Sequence, residues 1–182
     1  MLLKKEEHLK KNIIELTNCS LRQYREIEKF PVSVMLDNVR SLYNVGAVFR
    51  TSDAFLIEEI ILCGITGTPP HPEIAKTALG AEESVKWKYS ENALLEVKKM
   101  KKEGWKICVL EQTHNSIPLQ NFHPQSEMKY LLIAGNEVEG VSQEIVDLAD
   151  YVLEIPQFGV KHSLNVSVSV GIALWQLVSF RL

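Results

Sequence analysis

The stretch IPQFGVKHSLNVSVSVGIALWQLV, residues 155–178, decides the fold because its middle fits two kinds of secondary structure. From Leu164 to Val170 apolar residues alternate with Asn and Ser, which is typical of a half-buried strand. The same stretch places Leu164, Val168 and Ile172 along one side of a helix. The apolar pattern continues to the end of the stretch, and a run of about 18 residues is too long for an ordinary strand. We therefore predict a helix.

This helix follows a strand-like run, YVLEIP, through a loop that contains glycine. A first turn near Ser163 would present the Ser163 hydroxyl, the Asn165 amide and free backbone N–H groups at the carboxyl end of a strand. In an open α/β sheet this edge is the favoured ligand crevice. An N-terminal cap followed by packing of small residues explains the same sequence without a ligand.

The composition is that of an ordinary globular protein. The 182 residues fit one domain, with or without a short extension. Hydrophobic residues make up 46% and charged residues 24%, which argues against disorder. No apolar run approaches the roughly 20 residues of a membrane helix, and the N-terminal MLLKKEEHLKK lacks the apolar region of a signal peptide. We therefore expect a cytoplasmic protein without membrane contact.

Metal and disulfide chemistry are not indicated. The three cysteines are odd in number and widely spaced, which fits neither a disulfide framework nor a thiolate metal site. The histidines show no paired ligand spacing, so we expect no metal. The net charge of −3 does not point to a polyanionic partner, so any RNA-binding surface must be a local concentration of Lys and Arg.

The organisation along the chain predicts an α/β fold. We expect residues 1–29 to form a short helical N-terminal extension, with a capping box from Ser20 to Gln23, and residues 30–182 to form the main domain. The main domain contains five apolar runs of strand length, PVSVML, IEEIILC, WKICVL, KYLLIA and DYVLEI. Helical patterns lie between several of these runs, at residues 44–55, 91–102 and 142–149. We expect a mostly parallel sheet with helices on both faces, and a long loop with about one helical turn at residues 64–82.

The segment NVRSLYNVGAVFRTSDAF, residues 38–55, is a candidate anion site. Arg50 follows Gly46 by four residues, so both lie on one helix face and the glycine leaves open space one turn above. Helical side chains lean toward the N-terminus, so Arg50 is expected to reach over Gly46 toward the free amides near Asn44. Its fixed charge would add to the helix dipole at a phosphate or oxyanion. A capped helix with a solvated arginine fits the spacing as well.

The segment LLIAGNEVEGVS, residues 131–142, reads as a buried strand, a turn and a helix start. Gly135 and Gly140 have the spacing of a phosphate-binding Walker loop, but Val141 stands where that loop requires Lys. Phosphoryl transfer is therefore disfavoured. No Gly-x-Gly-x-x-Gly follows a strand, so the sequence has no fingerprint of a dinucleotide fold.

Together, the motifs closely resemble those of the SPOUT superfamily, specifically its TrmH (SpoU) branch of RNA ribose 2′-O-methyltransferases. In order, they are Asn44-x-Gly46-x-x-x-Arg50, Gly135-Asn136-Glu137-x-x-Gly140, and Ile155-Pro156 followed by Ser163-Leu164-Asn165-Val166-Ser167. The resemblance covers about residues 30–180. HPEIAKTALGAEESVKW and EQT are most similar to the tRNA-methylating members. Gln157 and His162 depart from the commonest pattern, and both are expected in the pocket wall.

The resemblance implies a homodimer whose parallel sheet ends in a C-terminal trefoil knot, a feature that rests wholly on the family. It implies S-adenosylmethionine as the cofactor and RNA as the substrate, tRNA first of all, with a D-loop guanosine as one candidate nucleotide. Ribosomal RNA is the alternative substrate. A non-catalytic dimer that binds cofactor or RNA is the alternative function.

The resemblance also assigns roles to individual positions. The expected cofactor contacts are Ala134, Gly135, Asn136, Ile155, Ser163 and Leu164. The expected catalytic arginine is Arg50, and the supporting active-site residues are Asn44, Glu137, Ser163 and Asn165. The implied reaction is attack of a ribose 2′-oxygen on the sulfonium methyl group, without a metal. A guanidinium with a pKa above about 12 is a poor base, so we favour Arg50 as a group that stabilises the oxyanion and holds a phosphate.

The last helix supports dimerisation on physical grounds. Its apolar residues surround the helix, at Leu174, Trp175, Leu177, Val178 and Phe180, and they need cover on more than one side. A partner subunit would supply that cover. The N-terminal extension carries candidate phosphate contacts at Lys4, Lys5, Lys10, Lys11, Arg22 and Arg25. A solvated helix face accounts for these basic residues as well.

Overall fold

The computed structural model describes residue 11 and residues 19–179. Its centre is a seven-stranded sheet in which all strand pairs are parallel. The strands are β1 (Phe30–Asp37), β2 (Ile57–Cys63), β3 (Trp87–Ser90), β4 (Trp105–Leu110), β5 (Ile117–Pro118), β6 (Lys129–Ala134) and β7 (Tyr151–Glu154). Their order across the sheet is β3-β2-β1-β6-β4-β7-β5. The predicted α/β class and parallel sheet are confirmed, and the trefoil knot stays a prediction.

Seven α-helices and one short 3₁₀ helix, Leu119–Asn121, are described. The α-helices are α1 (Leu21–Glu26), α2 (Leu42–Ala54), α3 (Pro72–Ala78), α4 (Ala81–Ser84), α5 (Ala93–Lys102), α6 (Gln143–Val146) and α7 (Val166–Val178). None of the helices in this part of the chain is long and apolar enough to cross a membrane.

Helices cover both faces of the sheet, which explains why its central strands are apolar throughout. Successive side chains of a strand point to opposite faces. On β1, Val34 and Leu36 therefore pack in one core with residues of α2 and α7. Met35 between them packs in the other core, with Val97 of α5 and Ile145 of α6.

The five predicted strands are present. Some helices begin at other residues than predicted, because a capping side chain sets the first residue of the helix. Helix α2 begins at Leu42 because the side chain of Ser41 caps it, accepting a hydrogen bond from the N–H of Asn44. Helix α7 begins at Val166, since Asn165 is its cap. Ser163 consequently lies in the loop before the helix, not in its first turn as expected.

The Gly- and Pro-rich segment 64–82 departs most from its prediction. Instead of a loop with about one turn, it contains α3 and leads into α4. Pro72 occupies the first turn of α3, where its missing N–H costs nothing, and the His71 ring accepts a hydrogen bond from the N–H of Glu73. Residues that usually interrupt structure therefore begin a helix here.

Part of the predicted N-terminal extension packs on the main domain. Helix α1 carries the expected capping box between Ser20 and Gln23. Its Tyr24 is buried in the core that also contains α2 and α7. Residues 1–10 and 12–18 of the extension lie outside the described residues, so the domain division stays a prediction.

The space above Gly46 is filled, contrary to the expectation from its spacing with Arg50. A Cβ atom on Gly46 would lie 2.2 Å from the carbonyl oxygen of Ile74 and 2.2 Å from Oγ1 of Thr77, both on α3. The glycine thus lets α2 and α3 approach closely. It does not open a path for the arginine.

Gly46→Ala is expected to lower the free energy of unfolding by about 1–3 kcal/mol, since the new methyl group meets backbone that must shift. The intrinsic helix preference of Ala offsets part of this loss. Urea denaturation followed by circular dichroism measures the change. The matched control is Gly171→Ala on α7, where a Cβ would make an ordinary 3.7 Å contact with Thr51. Equal stability of the two variants would contradict the close approach of the helices.

Candidate active site

A cavity of about 540 Å³ opens at the carboxyl ends of β4, β6 and β7. This is the edge where parallel α/β sheets bind ligands, and the volume suits a small-molecule cofactor. The six residues expected to contact the cofactor all line it, namely Ala134, Gly135, Asn136, Ile155, Ser163 and Leu164. The structure thus brings these positions together, while their role in binding stays a prediction. Gln157 and His162 line the wall, where they were expected.

The carboxylate of Glu137 joins the loop after β6 to the loop after β1. Oε2 accepts a hydrogen bond from the backbone N–H of Arg40 at 3.0 Å, and Oε1 accepts one from the N–H of Ser41 at 3.1 Å. The side-chain amide of Asn44 donates a third, at 3.3 Å. The negative charge therefore lies at the N-terminus of α2, where the helix dipole favours it.

These contacts set the ionisation of Glu137. Partial desolvation would raise the pKa of its carboxyl, but hydrogen bonds from the N–H groups of Arg40, of Glu137 itself and of Ser41, and from the amide of Asn44, outweigh it. The pKa of Glu137 is consequently lowered. The side chain is an anion at neutral pH, and it acts as an acceptor.

Asn44 extends the network to the third motif. Its Oδ1 accepts a hydrogen bond from Nδ2 of Asn165 at 3.0 Å. The Oδ1 of Asn165 in turn accepts from the N–H of Ser167 at 2.9 Å and from its hydroxyl at 2.6 Å, so the same side chain caps α7. The chain Glu137–Asn44–Asn165 therefore links all three motifs. Ser163 lines the cavity without a hydrogen bond to any described residue.

Arg50 is not part of this assembly within one chain. It lies on the exposed side of α2 and does not line the cavity. Its guanidinium has no hydrogen-bond or ion-pair partner among the described residues. The expected reach toward the amides near Asn44 is not observed, because Ile74 and Thr77 fill the space above Gly46.

Asn136 holds the turn after β6. Its Nδ2 donates to the carbonyl of Asn38 at 2.9 Å, and its Oδ1 accepts from the N–H groups of Val138 and Glu139 at 2.9 and 3.2 Å. The side chain is thus committed to the scaffold. Its backbone is engaged as well, since the N–H donates to the carbonyl of Gly140 at 3.1 Å and the carbonyl accepts from the N–H of Gly140 at 3.0 Å.

Sequence reasoning missed two carboxylates of the cavity, Glu111 and Glu154. Glu111 accepts from the N–H of Gln112 at 2.9 Å and from the N–H of Val141 at 3.1 Å. A Cβ on Gly140 would lie 2.1 Å from Oε2 of Glu111, and Gly140 has a φ of +69°, so a glycine is required there. Their position in the sequence could have predicted them, since both carboxylates stand at the ends of strands that border the motifs.

The cavity wall is acidic. Three carboxylates line it, and no Lys or Arg does among the described residues. This wall suits a ligand that carries positive charge. The described residues contain no group of three His, Cys, Asp or Glu side chains that could hold a metal ion.

Replacing Glu137 by Gln keeps the shape of the side chain but turns one acceptor into a donor that faces backbone N–H groups. Because the side chain is solvent-exposed, we expect a loss of only about 1 kcal/mol in unfolding free energy at neutral pH. A carboxyl with a lowered folded pKa contributes stability above its unfolded pKa of about 4.3 and loses it as the pH falls through the folded pKa. The difference from the wild type in urea unfolding should therefore shrink below about pH 4. A pH-independent difference would contradict the ionic role.

Two solved structures with this fold are named as RNA-modifying enzymes. A tRNA-modifying TrmH/SpoU enzyme of Aquifex aeolicus superposes with a TM-score of 0.78 at 27% identity, over 88% of this chain and 82% of that one. An rRNA methyltransferase of Sinorhizobium meliloti, solved with AdoMet bound, gives 0.79 at 27% identity, over 87% of this chain and 60% of that one.

Curated relatives are similar in sequence. A tRNA (guanosine(18)-2′-O)-methyltransferase of Aquifex aeolicus is 33% identical over 161 residues, which are 86% of this chain and 72% of the relative. An uncharacterized tRNA/rRNA methyltransferase of Borreliella burgdorferi is 30% identical over 147 residues, and the chain spans 62% of its length. The model of the SpoU rRNA methylase family matches residues 31–175, which contain the three motifs and the cavity. The chain belongs to the SpoU methylase family.

Proposed function

We propose that this protein is an S-adenosylmethionine-dependent RNA ribose 2′-O-methyltransferase that acts on tRNA. The observation that carries the proposal is the chain Glu137–Asn44–Asn165, which joins three distant motifs beside one cavity. The Aquifex relative is named for the same reaction at a tRNA guanosine. A D-loop guanosine is therefore the first nucleotide to test.

The cofactor assignment rests on the fit of the cavity. Its volume is adequate, its wall carries three carboxylates, and S-adenosylmethionine bears a positively charged sulfur. Residues of the loops after β6 and β7 would hold it, as proposed for Gly135, Ile155 and Leu164. The S. meliloti methyltransferase with the same fold was solved with this cofactor. When bound, the cofactor supplies a methyl group that its sulfur has already activated.

The protein's own contribution is alignment and charge. The ribose 2′-oxygen would form a bond to the methyl carbon as the carbon–sulfur bond breaks, and the hydroxyl proton would leave to water or to another acceptor. The network of Glu137, Asn44 and Asn165 keeps the loops around the cavity in place. Arg50 remains charged at neutral pH, so it would stabilise the negative charge on the oxygen and hold a nearby phosphate.

A second copy of the chain would complete the site. Arg50 does not line the cavity of its own chain. Helix α7 buries Leu174, Leu177 and Val178 in the core but exposes the stripe Val168, Ile172 and Trp175. Phe180 lies outside the described residues. We propose a homodimer in which this stripe is covered and Arg50 reaches the partner's cavity.

Arg50→Ala is expected to reduce methyl transfer by a factor of about 100 or more, because charge on the 2′-oxygen loses its counter-charge. Transfer of labelled methyl groups from cofactor to purified tRNA and rRNA measures the loss, and calorimetry should find cofactor affinity unchanged. Lys98→Ala, which removes one exposed charge from α5, is the matched control. Loss of cofactor binding would contradict the role of Arg50. A wild-type protein that methylates neither RNA would favour the non-catalytic dimer, and transfer to rRNA alone would exclude tRNA.

The dimer is tested by sedimentation at micromolar concentration. Trp175 is 52% exposed, and an interface tryptophan commonly contributes enough that its replacement by Asp weakens a dimer about thirtyfold. Trp175→Asp should therefore produce monomers with native circular dichroism and little methyl transfer. Leu95→Asp, at another exposed apolar residue on α5, should leave the dimer intact. A monomeric wild-type protein would contradict the shared site.

A further inference from the structure

The loop of residues 156–162, here called the rim loop, presents apolar side chains to solvent beside the cavity. Phe158 is 96% exposed and Val160 is 89% exposed. Gln157 and His162, near the two ends of the loop, line the cavity. A phenylalanine ring that touches almost nothing in its own chain keeps its full apolar surface available for a partner.

The rim loop is held in place at its far end. The side-chain amide of Gln112 donates to the carbonyl of His162 at 2.8 Å. Gln112 itself follows Glu111, whose carboxylate accepts a hydrogen bond from the backbone N–H of Val141 across the cavity. The position of the rim loop relative to the cavity is thereby restricted, which lowers the entropy cost of binding through it.

Exposed charges of both signs lie beside the cavity, since Glu139 stands between two residues that line it, and two cations are also near. Lys161 belongs to the rim loop and is exposed. Arg40 is exposed as well, and its backbone N–H is bound by Glu137 at the site. Among the described residues neither cation forms an ion pair. An acidic interior suits the cationic cofactor, while Lys161 and Arg40 offer exposed positive charges to the phosphates of a polyanion.

We propose that Phe158 stacks on a nucleobase of the RNA strand whose ribose enters the cavity, while Lys161 contacts its phosphate backbone. The proposal rests on the function proposed above. A ribose can reach the cavity only if its nucleotide leaves the regular stack, and an exposed aromatic ring replaces the lost stacking. Because every base has an aromatic face, this contact serves the strand without selecting its sequence.

A second copy of the chain is the less suitable partner for this loop. The core of a protein interface is depleted of lysine and is largely apolar. The rim loop instead sets Phe158 and Val160 between Gln157, Lys161 and His162. The apolar stripe of α7, which has no charged residue, is the better candidate for contact between subunits.

The test compares Phe158→Ala, Phe158→Leu and Phe158→Trp with the wild type. Binding of a single-stranded oligoribonucleotide, followed by fluorescence anisotropy, should weaken about tenfold in the Ala and Leu variants and stay within about twofold in the Trp variant. The KM for RNA in methyl transfer should rise by the same factor. Cofactor affinity and sedimentation should not change. Leu95→Ala, which removes another exposed apolar side chain, should behave as the wild type.

Three outcomes would overturn the proposal. Wild-type RNA binding in Phe158→Ala means that the ring does not stack. Full rescue by Phe158→Leu, or dissociation of the dimer, means that protein covers it. The binding assay needs no turnover, so a protein that binds RNA through Phe158 yet transfers no methyl group would refute the proposed enzyme and leave the stacking contact standing.

Discussion

The contact on which the site depends is the carboxylate of Glu137 between two backbone N–H groups. It fastens the loop after β6 to the N-terminus of α2. Asn44 carries the connection to Asn165, and Asn165 caps the last helix. The side chain of Glu137 thus orients three loops, because Asn44 and Asn165 each use one polar atom of the amide for one contact and the other atom for the next. Helix dipole and hydrogen bonds favour the charged form of Glu137, so the network is held by an ion rather than by a neutral group.

Much of the fold could be predicted because the apolar runs are long and the sheet is covered on both faces. The strands β1, β2, β4, β6 and β7 could be predicted in this way. Strand β3 has the sequence WKYS, which is not an apolar run, and β5 has only two residues, so neither could be recognised. Length settled the ambiguous segment that contains α7 in favour of a helix. Its start was misplaced because Ser163 and Asn165 are both good caps, and only tertiary contacts choose between them. In segment 64–82, proline and glycine lie at the ends of short helices and do not prevent helix formation.

The site was predictable to the extent that it follows from topology. Parallel strands end at one edge, so the loops after β6 and β7 had to meet there. Glu154 belongs to none of the motifs and Glu111 opens the EQT stretch without an assigned role, so only the folded chain shows that they share the cavity. The surroundings of Arg50 could not be inferred from its spacing with Gly46. That spacing indicates which residues share a face of α2, but not that α3 packs against Gly46.

The hydrogen bonds between Glu137, Asn44 and Asn165 also determine when the cavity can form during synthesis of the chain. Asn44 bonds to Glu137 and Asn165, which stand 93 and 121 residues farther along the chain. Contacts of such separation form late, after the costly closure of long loops. A nascent polypeptide on the ribosome therefore has no complete cavity until its last helix has emerged. Any ligand of this cavity can stabilise the finished domain, but it cannot guide the earlier stages of folding.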